Sequence, residues 1–125
     1  MQRDTEKRRS LMPRHLPPIV ISVVDKQRYN TAGDYYATSS GWQFAVSKQK
    51  SVDDEFLILI HELVEWYLTQ RNGIREEDIT AFDVAHPSSK DPGSEPDAPY
   101  RTEHRAALEV EKLITDHVNK NLYNH

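Results

Sequence analysis

The stretch from Ser51 to Arg71 constrains this chain more than any other. Phe56-Leu57-Ile58-Leu59-Ile60, Leu63-Val64 and Trp66-Tyr67-Leu68 are apolar on nearly every side of a helix. A helix apolar all round is buried on most of its sides. Its ends are marked as well. Ser51 or Asp53 can cap it, Asp54 and Glu55 fall where the helix dipole favours anions, and Asn72-Gly73 stops it. A chain of 125 residues has room for one domain, so this is expected to be the central helix. Yet His61, Glu62 and Glu65 lie in its middle. Burying a charge is strongly unfavourable unless it is paired, hydrogen-bonded or metal-bound, so three ionisable groups there require a reason.

The remaining elements surround that helix. Ile19, Val20, Ile21, Val23 and Val24 follow Pro17-Pro18 and read as a buried strand. Asn30 and Gly33 mark a turn, and Tyr35-Tyr36 can open a second short strand. After Ser39-Ser40-Gly41, the alternation of Trp42, Phe44 and Val46 with Gln43, Ala45 and Ser47 has the period of a half-buried strand. These strands are expected to form a small antiparallel sheet. A second helix is expected over 76–84 and a last one from Pro99 or Tyr100 to Asn119, Pro99 suiting a helix start. Between them, 86–99 holds four prolines and reads as a loop long enough to carry function. The expectation is an α+β fold: a basic flexible tail over 1–15, then a single domain over 16–125.

Charge and composition narrow the function. Lys and Arg outnumber Asp and Glu nine to four in 1–50, whereas acidic residues lead twelve to three in 51–100, and 101–125 is balanced. The acidic middle argues against a nucleic-acid groove there and suits a cation site or a solvated acidic face. No cysteine is present, which excludes thiolate metal sites and a cysteine nucleophile. A metal would be held by His, Asp and Glu. No apolar run is long enough for a membrane span, and no signal-type apolar region follows the first charges; a soluble cytoplasmic protein is the expectation. No phosphate-binding glycine loop or nucleophile elbow appears.

His61 and Glu65 are four apart and project from one helix face. That spacing lets one helix present two ligands to a single cation, and Glu62 is placed to take a proton from metal-activated water. The alternative is a hydrogen-bonded polar pair in the core. For a third ligand His104 is the candidate, since Leu108 and Glu111 follow it at inward helical spacing; an ordinary helix histidine is the alternative. Asp83 and His86 are candidates for orienting a ligand histidine, Asp83 also for ligation itself, and Tyr100 for oxyanion donation or for packing. His15, His117 and His125 receive no role.

Trp42-Gln43-Phe44-Ala45-Val46-Ser47 followed by Phe56 to Glu65 resembles the active-site half of zincin-type, small gluzincin-like metallopeptidases, in which a cleft strand precedes an H-E-x-x-H helix. The whole chain also resembles short tailed-bacteriophage proteins with an H-E-L-x-E helix and a downstream A-P-Y-x-x-x-H. The zincin resemblance implies zinc, a Glu62 general base, and a peptide laid beside Trp42–Ser47 by edge addition. It makes Glu111 the fallback third ligand, because a later glutamate is usual there. The second histidine of that pattern is Glu65 here, which widens the metal choice to manganese or iron.

Three functions follow as expectations. The first is a metal-dependent hydrolase of metallopeptidase type acting on a peptide or protein, in the host cytoplasm if phage-encoded. The second is a non-enzymatic phage accessory or host-interaction protein with a structural metal or polar core. The third is an all-helical nucleotide pyrophosphohydrolase using Glu62 and Glu65 as its E-x-x-E pair. Trp66 and Tyr67 leave a dimer contact open.

Overall fold

Phe44, Ala45 and Val46 are all buried, which only a strand covered on both faces achieves. In the computed structural model, which describes residues 9–123, they belong to the middle strand of a three-stranded sheet. The strands are β1 (Ile19–Val24), β2 (Gly33–Thr38) and β3 (Gly41–Ser47), in the order β1-β3-β2. The helices are α1 (Val52–Arg71), α2 (Glu76–Val84) and α3 (Arg101–Tyr123), with a single 3-10 turn at Pro92–Ser94. The fold is α+β. The all-helical architecture of a pyrophosphohydrolase is not this one.

The sheet is mixed, not antiparallel throughout. β2 and β3 form an antiparallel hairpin, with Gly33 opposite Val46 and Thr38 opposite Gly41. β1 runs parallel to β3, with Ile19 opposite Trp42 and Val24 opposite Ser47. The reason is the route of the chain. After β1 it crosses to the far side of the β3 position and lays down β2, so β3 returns between them in the direction of β1. The hairpin turns at Gly41, whose φ of 152° favours glycine and where a Cβ would collide with the Pro18 carbonyl.

Two further expectations are corrected. β1 is not buried: Val20, Ile21 and Val23 are each half exposed, because β1 is an edge strand and α1 lies over the other two. An apolar run reports β propensity and not position in the sheet. β3 cannot receive a peptide along its edge, since both of its edges are already hydrogen-bonded.

α1 starts where its sequence marks it, with Ser51 Oγ accepting the Asp54 N–H, and ends before Gly73 at φ 76°. Leu59, Leu63 and Trp66 pack toward a core of Tyr35, Phe44, Ile74, Ile79, Ala98 and Tyr100. Trp66 meets Trp42 and Phe44 edge-on, with ring centroids 5.8 and 5.4 Å apart. α1 is less enclosed than its composition implies, for Phe56 and Tyr67 stay more than 40% exposed. α3 lies antiparallel to α1: Asn72 Nδ2 donates to Glu103 Oε2 at one end, and His61 meets Glu111 further along.

The first eight residues of the expected tail, and His125, lie outside the described residues. Further along that stretch the Leu11 N–H donates to the Gln70 carbonyl and Met12 packs on the core. No helix among the described residues is long and apolar enough to cross a membrane.

Trp66→Ala is expected to destabilise the domain by about 3–5 kcal/mol, whereas Val23→Thr on the exposed edge stays within about 0.5 kcal/mol. Denaturant melts followed by circular dichroism check both values.

Candidate metal centre

α1 presents His61 and Glu65 from successive turns of one face, and the first turn of α3 brings His104 against them. His61 Nε2 stands 3.2 Å from His104 Nδ1 and 3.3 Å from Glu65 Oε2, and His104 Nδ1 is 2.7 Å from Glu65 Oε2. Donor atoms about 2.0–2.2 Å from one ion lie about 3–3.5 Å apart in a tetrahedral set. Two sides of the triangle match that spacing and the third, at 2.7 Å, is shorter; the three residues can hold a metal ion. Nitrogen and oxygen donors without sulfur suit zinc, manganese or iron. The shortest side is a charge-assisted hydrogen bond, so a proton ties the same atoms together in the metal-free protein.

Two of these residues, His61 and Glu65, are also gripped from behind. Glu111 Oε1 sits 3.0 Å from His61 Nδ1, which places the ring proton on Nδ1 and leaves the Nε2 lone pair facing inward. Glu111 therefore orients His61 and is not a third ligand. Tyr35 Oη donates to Glu65 Oε1 at 3.0 Å, leaving Oε2 for the shared centre. His104 Nε2 has Asp91 Oδ1 2.8 Å away.

Burial pulls the His61 pKa down, but hydrogen bonding to Glu65 and the charges of Glu65 and Glu111 outweigh it, and the net shift is upward. Burial pushes Glu65 up, yet the hydrogen bonds with His104 and His61 hold its carboxyl below the ordinary value. Glu62 differs. Burial, reinforced by the Glu65, Asp34, Asp83 and Glu111 carboxylates, drives it well above the carboxylate range. Among the described residues no side chain hydrogen-bonds to Glu62.

Glu62 faces a cavity of about 540 Å³ that also exposes the His61, Glu65 and His104 group. Its walls come from β2, α1, α2, the 86–99 loop and α3. Gly33 lets β2 press onto α1, since a Cβ there would stand 2.7 Å from Glu62 Cγ. Asp34, Glu76, Asp83 and Asp91 line the cavity too, so much of the acidic middle of the chain converges on one space. Arg28 balances part of it, gripping both Asp34 oxygens at 2.7 and 3.0 Å and reaching Glu76 at 3.3 Å.

Asp83 is placed on the cavity wall and not among the ligands. It accepts from Tyr29 Oη and Tyr100 Oη, and burial raises its pKa against those hydrogen bonds. The single hydroxyl proton of Tyr100 is thereby committed to Asp83. His86 turns away from the cavity, stacking on Phe82 and bonding through Nδ1 to the Phe82 carbonyl. Tyr35, Asp91 and Gly93 were not legible as site residues. Tyr35 sits within a strand pattern and the other two in a turn-rich loop, with no spacing to link them to α1. No protein-family model matches the chain, and no curated protein or solved structure matches it.

Tyr35→Phe leaves Glu65 Oε1 without its donor and is expected to weaken divalent-metal binding about 10-fold, as read by competition with a chelating dye. A pH dependence follows from His61. Its folded pKa lies above the ordinary 6.5, so its stabilising contribution is complete below about 6.5 and is lost as pH rises through the folded value. The metal-free protein should lose stability over that window. Saturating metal should flatten the slope, because the ion then replaces the proton. Thermal melts at stepped pH, with and without metal, measure this.

Proposed function

We propose that this chain is a metal-dependent hydrolase of metallopeptidase type, with zinc as its metal and a peptide-like bond as its target. The observation that carries the reading is Glu62: a carboxylate with no side-chain partner among the described residues, one residue from His61, facing the same cavity as three converging donor atoms. A bound divalent ion there supplies a Lewis acid and a water of lowered pKa. Glu62, one residue from His61 and open to the same cavity, would be the group that accepts a proton there and returns it to the departing amine. His61, Glu65 and His104 would hold the ion, and Glu111 and Tyr35 fix the two residues of α1. A peptide would enter against β2, the edge strand that lines the cavity, adding to the sheet there. The acidic walls favour a substrate without net negative charge. A role in the host cytoplasm during phage growth belongs to the same reading, through the resemblance of the sequence to tailed-phage proteins.

The second reading is a non-enzymatic accessory or host-interaction protein that keeps a structural metal. It is favoured by the closure of the site: the three ligand side chains are only 6–12% exposed, and structural sites are closed.

Metal content and hydrolysis separate the two. Purified wild-type protein is expected to carry about one equivalent of divalent metal, and His61→Ala far less; equal, near-zero contents would end both metal readings. Glu62→Gln is expected to keep metal and fold while lowering cleavage of a peptide library at least about 10²-fold. No cleavage by metal-loaded wild-type protein would leave the structural-metal reading standing.

A further inference from the structure

We propose that Asp91 and Gly93, on the loop between α2 and α3, are positioning residues of the metal centre. Asp91 accepts the Nε2 proton of His104, so that Nδ1 is the lone pair offered to the ion, and Gly93 seats the loop against the imidazole. The proposal rests on the reading of His61, Glu65 and His104 as metal ligands and adds the loop to that site.

An imidazole that ligates through one nitrogen carries its proton on the other, and whatever accepts that proton fixes the ring. Nδ1 of His104 is the nitrogen that meets His61 and Glu65. Its Nε2 is therefore the proton-bearing atom of the metal-bound form. In the metal-free arrangement Nε2 is buried and has no hydrogen-bond partner, although Asp91 Oδ1 lies only 2.8 Å away. The distance is that of a hydrogen bond and the direction is not, so the bond belongs to the metal-bound tautomer, in which Nε2 carries the proton. Buried polar atoms are rarely left unsatisfied, and this one has its acceptor beside it.

The loop holds Asp91 ready for that role. Asp91 Oδ2 accepts from Ser94 Oγ at 2.6 Å, the Asp91 carbonyl accepts the Ser94 N–H at 3.0 Å, and the Asp91 N–H donates to Ser89 Oγ at 3.3 Å. One carboxylate oxygen is thus tied to the loop and the other is left for His104. Gly93 supplies an independent observation. A Cβ at 93 would lie 2.5, 2.6 and 2.8 Å from Cγ, Nδ1 and Cδ2 of His104, so any side chain there displaces the ligand ring. His104 is then fixed as the other two are, by Asp91 where His61 has Glu111 and Glu65 has Tyr35.

The test uses the full chain as wild type, His61→Ala, Asp91→Ala, Asp91→Asn and Gly93→Ala. Zinc affinity is measured by competition with a chelating dye, and the visible bands of the cobalt-substituted protein report ligand geometry. Asp91→Ala is expected to bind zinc about 10- to 100-fold more weakly with shifted cobalt bands. Asp91→Asn, which keeps an acceptor oxygen, should recover part of the affinity. Gly93→Ala should weaken zinc and alter the cobalt bands; if it does not fold, the Asp91 variants decide. Wild-type affinity and cobalt bands in Asp91→Ala would overturn the proposal. So would a lowered metal-free melting temperature in that variant with the cobalt bands unmoved, which marks a merely structural residue. Failure of the metal reading looks different: the wild type itself takes up no more zinc than His61→Ala.

Discussion

Glu65 and His61 sit on a helix that is otherwise a hydrophobic element, and removing their charge from water is the constraint around which the molecule is arranged. A lone carboxylate at the depth of Glu65, 5% exposed, would be strongly destabilising. It is tolerated because His104, His61 and Tyr35 all hydrogen-bond to it or press charge against it. Those partners come from α3, α1 and β2, so the polar centre joins three elements that hydrophobic packing alone could hold in several ways.

The division of labour within the centre has a simple chemical basis. An imidazole and a carboxylate each have two usable atoms, and in His61 and Glu65 one atom points to the shared centre while the other bonds to an anchor, Glu111 or Tyr35. On the proposal above, Asp91 takes the same place behind His104. Outer bonds of this kind select the tautomer and rotamer in which the inner atoms converge. Glu62 lies outside this scheme. Burial, reinforced by the surrounding carboxylates, raises its pKa, and among the described residues no side chain hydrogen-bonds to it.

The sheet serves the centre unequally. β3 carries the aromatic core that supports α1, through Trp42 and Phe44 against Trp66. β2 reaches the cavity itself, with Gly33 allowing close approach to Glu62 and Tyr35 holding Glu65. β1 completes the hydrogen bonding of β3 and leaves Val20, Ile21 and Val23 in solvent. The strand nearest the candidate site is therefore the one whose sequence is least strand-like.

Local sequence carried the elements whose causes are local. Ser51 and Gly73 bound α1, and the i, i+4 spacing put His61 beside Glu65. His104 is buried as expected, although Leu108, on which that expectation partly rested, is itself exposed. Strand order, the parallel pairing of β1, and the identities of the anchors did not follow from any such pattern. Each depends on which segments meet after the chain has crossed β3, and on groups far apart in sequence such as Tyr35 with Glu65. A period of two or of 3.6 records which face of an element is apolar, and it does not say what lies against that face. Only packing in three dimensions assigns Glu111 to His61, leaves β1 at the edge, and lays a glycine-bearing loop on the ring of His104.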